Sequence, residues 1–193
     1  LKDLRQEMDL ATLLLNLWLT QGVILGIAAT CSLFLHGWES TLAMFSLPSK
    51  SGLGWAAIVA ALVIALSIYM EHCLPKRWQD DGNINEQLFG QLSFVMTVLV
   101  CFVVGFSEEW LFRGVIQPFA GNLWTSVIFT MVHIRYLRKP LLIASVFATS
   151  WLLGELFDAE GTLWLPIAAH IIIDMTLAFY LQYMLRCGKG EEE

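Results

Sequence analysis

Six ionisable side chains interrupt otherwise apolar stretches of the chain: Glu108, Glu109, Arg113, His133, His170 and Asp174. Inside a membrane such groups are costly unless they pair with one another or face an aqueous cavity. Their spacing suggests how they pair. Glu109 and Arg113 are four residues apart and share a helical face, as do His170 and Asp174. An ion pair between Glu109 and Arg113 leaves Glu108 available, while Asp174 can hold the His170 imidazole or join it around a substrate. A carboxylate and a histidine in a desolvated cavity can share a water and take its proton. Acyl hydrolysis by activated water is the simplest chemistry for this set. Covalent catalysis has no convincing nucleophile: Ser107 adjoins the glutamates but lies on a different face from much of the cluster, and no cysteine accompanies either histidine.

Glu, His, His and Asp are also acceptable zinc ligands. The two-histidine helix pattern H-E-x-x-H is missing, and the cation Arg135 follows close on His133. The expectation is therefore hydrolysis without a required cofactor, with a divalent metal such as zinc as the alternative.

The elements that must position these residues follow from composition. The chain has 193 residues, of which 57% are hydrophobic and only 15% charged, well short of the roughly 25% charged residues of a soluble domain. A bilayer is the expected solvent. A net charge of -6 and the lack of a dense basic cluster make nucleic acid an unsuitable partner. The four cysteines, Cys31, Cys73, Cys101 and Cys187, are too widely spaced for a zinc knuckle or a disulfide framework.

Charge-free stretches run over Leu10–Trp38, Ser51–Met70, Gln87–Ser107, Gly114–Ile134, Pro140–Gly154 and Gly161–Ile173, the last resuming over Asp174–Leu185. All but Pro140–Gly154 are near or above the length that spans a bilayer. The expected fold class is all-α, a polytopic bundle of about six membrane-embedded helices around an intramembrane polar cavity. Residues 1–193 form one membrane domain, with the catalytic helices in 88–185, a polar loop over Lys76–Glu86 and a polar tail over 186–193. Lys2, Arg5, Lys76, Arg77, Arg135, Arg138, Lys139, Arg186 and Lys189 fall on one side if both termini are cytoplasmic. Only Lys50 falls outside, so the positive-inside rule favours that orientation. Trp38, Trp124 and Trp164 lie near the proposed outer boundary, where an aromatic belt and internal packing account for them equally well.

One alternative places the charges at the water interface, where they cost nothing. Depth argues against it. If the chain turns at Pro118–Asn122, Glu108 and His133 each lie about ten residues from the turn, or roughly 15 Å below one surface. His170 reaches a similar depth beyond the acidic loop Glu155, Asp158 and Glu160. Two histidines and three carboxylates at one depth indicate a functional cavity.

Three motifs in this order resemble the CPBP intramembrane proteases, the CAAX protease and bacteriocin-processing or Abi family that includes the type II CAAX prenyl endopeptidase. They are E-E-x-x-x-R as Glu108, Glu109 and Arg113, F-x-x-x-H as Phe129 and His133, and H-x-x-x-[ND] as His170 and Asp174. The first two expected helices carry no such mark. The resemblance implies a membrane endopeptidase in which Glu108 and His133 activate a water, His170 and Asp174 stabilise the oxyanion or position substrate, and Arg113 orders the glutamate pair. Asp174 stands where the eukaryotic prenyl proteases have asparagine. An ionised aspartate opposes an oxyanion, so Asp174 either orients His170 or carries a proton. The family is often labelled metalloprotease, which water activation by glutamate does not require.

The compact chain looks like a bacterial member in the plasma membrane, acting on a membrane-embedded peptide, lipopeptide or protein segment such as a bacteriocin or pheromone precursor. Its rivals are a non-proteolytic family member in bacteriocin immunity or regulation of a partner, and a small transporter. Retention of Glu108, Glu109, Arg113, His133 and His170 favours an active enzyme, and no internal repeat supports a transporter.

Overall fold

Long apolar sequence becomes long helix. The computed structural model describes residues 9–75, 83–134 and 139–189. The elements are α1 (Leu10–Ala43), α2 (Lys50–Cys73), α3 (Ile84–Phe89), α4 (Phe94–Glu109), a π-helical segment (Trp110–Ile116), α5 (Gln117–Val132), α6 (Pro140–Glu160) and α7 (Trp164–Lys189), with no strand among the described residues. Lys2, Arg5, Lys76, Arg77, Arg135, Arg138, most of the expected polar loop and the end of the tail lie outside the described residues.

Five stretches are long and apolar enough to cross a membrane: Leu10–Ala43, Lys50–Cys73, Phe94–Val132, Pro140–Glu160 and Trp164–Cys187. The protein is an all-α polytopic membrane bundle. Serine caps start two of the helices: the Ser49 hydroxyl accepts from Gly52 N at 2.9 Å, and that of Ser93 from Met96 N at 3.3 Å.

Phe94–Val132 is 39 residues long, about 58 Å as straight helix and nearly twice the hydrocarbon thickness. It breaks at Gly121, whose φ of 73° and ψ of 165° suit a residue without Cβ. The break falls inside the expected turn Pro118–Asn122, but the passes on either side have other bounds than Gln87–Ser107 and Gly114–Ile134. One runs from Phe94 through the π-helical segment to the break, and the return is only Asn122–Val132. The reason is Arg113, which marks an end of the charge-free run in sequence yet is fully buried within the continuous helix.

Two further bounds differ. Pro140–Gly154 continues as helix to Glu160, so Glu155, Asp158 and Glu160 belong to the last turns of α6 rather than to a loop. Their side chains find partners, as described below. The sixth stretch is one uninterrupted helix through Asp174.

Main-chain and side-chain bonds define the two ends of the bundle. At one end, Leu163 N donates to Met44 O at 2.7 Å, Trp164 Nε1 to Phe45 O at 2.9 Å, and Ser49 N to Glu160 Oε2 at 2.9 Å. At the other, Gln182 Nε2 donates to Phe89 O at 2.8 Å and Leu92 O at 3.2 Å, while Leu13 packs with Leu88 and Leu92. The described chain thus begins and ends on the same side. Trp38 and Trp124, exposed on the bundle surface, contrast with the half-buried and hydrogen-bonded Trp164.

α7 is the central helix. It packs against α2, α4 and α6. Ala56, Ala60 and Val63 of α2 meet Leu153 and Leu156 of α6 and Leu165, Ala169 and Ile173 of α7. Small side chains at these contacts allow the close helix approach favoured in membranes. α1 lies across α4 and the π-helical segment, and α5 is held by α6 and the same segment.

Candidate active site

The site grows from the junction of α4 with the π-helical segment. There the Gln117 N–H reaches Phe112 O, five residues back, a wider turn that occurs frequently at functional sites. It lines Arg113, Gln117 and Asn122 along α6. Arg113 Nη2 donates to Ser150 O at 2.8 Å and Ser150 Oγ at 3.0 Å. Gln117 Nε2 donates to Gly154 O at 3.0 Å and Asp158 Oδ1 at 2.7 Å. Asn122 Nδ2 donates to Trp151 O at 3.0 Å and Glu155 Oε1 at 2.9 Å. Acidic residues that the sequence suggested were a loop therefore anchor the helix carrying Arg113.

Behind this ladder lies a dry ionic layer. Arg113 Nε stands 3.0 Å from Glu109 Oε2, and Nη1 donates to Oε1 at 3.2 Å. Neither side chain has any exposed surface. His170 Nδ1 donates to the same Glu109 Oε1 at 2.6 Å, and its Nε2 faces Asp174 Oδ2 at 3.5 Å. Gly105 makes the approach of α4 to α7 possible: a Cβ there would lie 2.8 Å from Ile171 Cγ1. The Arg113 guanidinium also sits over the Phe129 ring, 5.1 Å from its centroid.

The other three residues are partly open. Glu108 is half-buried, the Asp174 side chain keeps 32% of its surface, and His133 is half-buried at the end of α5. Asp174 lies within electrostatic reach of Glu108, Glu109, His133 and His170. His133 Nδ1 bonds to Phe129 O at 2.7 Å, a contact in which the ring nitrogen donates and Nε2 becomes the acceptor of the neutral ring. The expected six residues thus divide in two. Glu109 and Arg113 are closed off, with the His170 side chain keeping 10% of its surface beside them, while Glu108, His133 and Asp174 are half-buried.

Two contributors escaped the sequence reading. Ser150 had no charge or periodicity to mark it. Gln21 of α1 lies in a stretch without charge, yet it is 6% exposed and reaches both Ser107 and Glu108. A buried amide in an apolar helix was the available signal.

Among the described residues, no three His, Cys, Asp or Glu side chains are grouped to hold an ion. Glu109 is committed to Arg113 and His170, and both nitrogens of His170 face carboxylates.

Comparison with known proteins bears on the same residues. Residues 90–176 match the family described as Type II CAAX prenyl endopeptidase Rce1-like, an interval that contains all six. Over 167 residues the chain is 34% identical to Uncharacterized protein YpbD of Bacillus subtilis (strain 168), an alignment covering 86% of this chain and 88% of that protein. No solved structure matches the chain. Helical membrane architecture, the family match and the ordered motifs agree, and the chain belongs to the CAAX protease family of type II CAAX prenyl endopeptidase Rce1-like proteins.

Proposed function

We propose that this protein is an intramembrane endopeptidase that cleaves a peptide bond of a membrane-associated peptide, lipopeptide or protein segment by activated water. The observation that supports it best is the division of the two adjacent glutamates. Glu109 is locked into an ion pair with no exposed surface, while Glu108 is only half-buried.

In the proposed reaction Glu108 takes a proton from water as the water oxygen bonds to the substrate carbonyl carbon, with His133 Nε2 as the second acceptor that orients the water. The carbonyl electrons become an oxyanion, for which the donor is the Nε2–H of a His170 ring protonated on both nitrogens, its Nδ1–H held by Glu109 and its Nε2 turning from Asp174. Collapse breaks the C–N bond, and Glu108 returns the proton to the leaving amine. No step passes through a metal. The positive-inside count supports a plasma-membrane protein with both termini cytoplasmic, and the placement of the first and last described residues on one side of the bundle is compatible with it.

The test is incubation of purified protein and its Glu108→Gln variant, in detergent, with a mixed library of peptides and lipidated peptides. Products are read by mass spectrometry with and without chelator. Cleavage by the native protein alone, unaffected by chelator, is expected. Equal cleavage by the variant would overturn the role of Glu108.

A further inference from the structure

Gln21 is a buried amide from a helix outside the family match, and it contacts the side chain on which the proposed reaction depends. Its Nε2 donates to Glu108 Oε1 at 3.3 Å, and its Oε1 accepts from Ser107 Oγ at 2.5 Å. Ser107 is completely buried and also contacts Val103 O at 2.7 Å and Val104 O at 3.3 Å. A hydroxyl carries one proton, so it cannot serve Gln21 and Val103 O together.

That shortage leaves two consistent arrangements. In the first, Ser107 donates to Gln21 Oε1 and the amide donates to Glu108, which suits the carboxylate. In the second, the amide is turned over: Nε2 donates to Ser107 Oγ, Ser107 donates to Val103 O, and Gln21 Oε1 faces Glu108. That second arrangement suits only a protonated Glu108, which then donates to the amide oxygen. Each arrangement gives the Ser107–Gln21 and Gln21–Glu108 contacts one donor and one acceptor, and the two differ by one proton on Glu108.

We propose that Gln21 is a positioning residue whose amide turns with the proton on Glu108, holding that side chain in place both before and after it accepts a proton from water. The inference rests on the reading of Glu108 as general base. It adds α1 to the working parts of the site, through an amide that acts by way of Glu108. Retaining a hydrogen bond in both states prevents Glu108 from swinging away while it holds the proton that the leaving amine must receive.

The test has a kinetic arm and a spectroscopic arm. Gln21→Met keeps length and removes both polar atoms. With a peptide cleaved by the native protein, its kcat should fall roughly ten- to a hundredfold while KM stays within about twofold, per folded molecule. Ser107→Ala should give a smaller fall, and the double variant should be no worse than Gln21→Met, because the two residues act through one contact. An inactive Glu108→Gln beside a fully active Gln21→Met would overturn the role of Gln21 and leave Glu108 as base. An active Glu108→Gln would overturn both.

The spectroscopic arm needs no substrate. Infrared difference spectra against Glu108→Gln identify the carboxylate and carboxylic acid bands of Glu108 in a pH titration. Gln21→Met should move both bands, since each state loses a hydrogen bond. Movement of the carboxylate band alone, or of neither, would overturn the proposal.

Discussion

Glu109 and His170 lie 61 residues apart in the chain and meet at 2.6 Å, with the same carboxylate paired to Arg113. One acidic group therefore joins α4, the π-helical segment and α7. Because neither the Glu109 nor the Arg113 side chain is exposed, removing either leaves the other charge buried without its partner. Arg113→Ala and Glu109→Leu should each destabilise the protein by about 3–5 kcal/mol, the range for a broken buried pair. Thermal unfolding in detergent measures this, and a loss below about 1 kcal/mol would contradict the assigned pairing.

Glu108 predicts the opposite pattern. Among the described residues its direct bond runs to Gln21 at 3.3 Å, and it is not fused into the ionic layer. Glu108→Gln should unfold at nearly the native temperature while hydrolysis falls at least roughly a hundredfold, as expected for loss of a general base. His133→Ala should be similarly inactive but also lose about 0.5–1.5 kcal/mol, since its ring bonds to Phe129 O. Turnover and unfolding, measured on the same preparations, separate the two effects.

The ionic pairings were legible because helical spacing of four is a local property: Glu109 with Arg113, and His170 with Asp174, follow from it directly. The break at Gly121 was legible too, falling inside the expected turn Pro118–Asn122. What sequence did not disclose depended on tertiary contact. Arg113 marked an end of an apolar run only until α6 supplied Ser150 to receive it, and Glu155 and Asp158 looked like loop until Asn122 and Gln117 gave them partners. The π-helical turn has no composition signal. Gln21 was hidden because an uncharged amide does not interrupt hydropathy.

Gly105 offers a separate check on the geometry. Its missing side chain lets α4 approach Ile171 and His170. Gly105→Val should force the helices apart, lower stability by about 1–3 kcal/mol, and reduce kcat more than in proportion to the folded fraction. An unchanged kcat with this variant would show that the spacing of α4 and α7 does not govern the site.

The course of the chain can be tested in a background lacking Cys31, Cys73, Cys101 and Cys187. Single cysteines at the exposed positions Lys50 and Glu86 should react with a membrane-impermeant thiol reagent from opposite sides of sealed vesicles. Labelling of both from one side would contradict the crossing of α2.

The return helix after Gly121 contains only the residues Asn122–Val132, about 16 Å of rise, or half a hydrocarbon layer. His133 closes part of its own helix end, its ring and main-chain nitrogens taking Phe129 O and Thr130 O at 2.7 and 3.2 Å. A helix terminus at such depth is tolerated only against other protein or a hydrated space. The shortness of α5 thus has a chemical consequence. On the proposed reading, the helix end that carries His133 is also a place where hydration is favourable, beside the groups that would activate water.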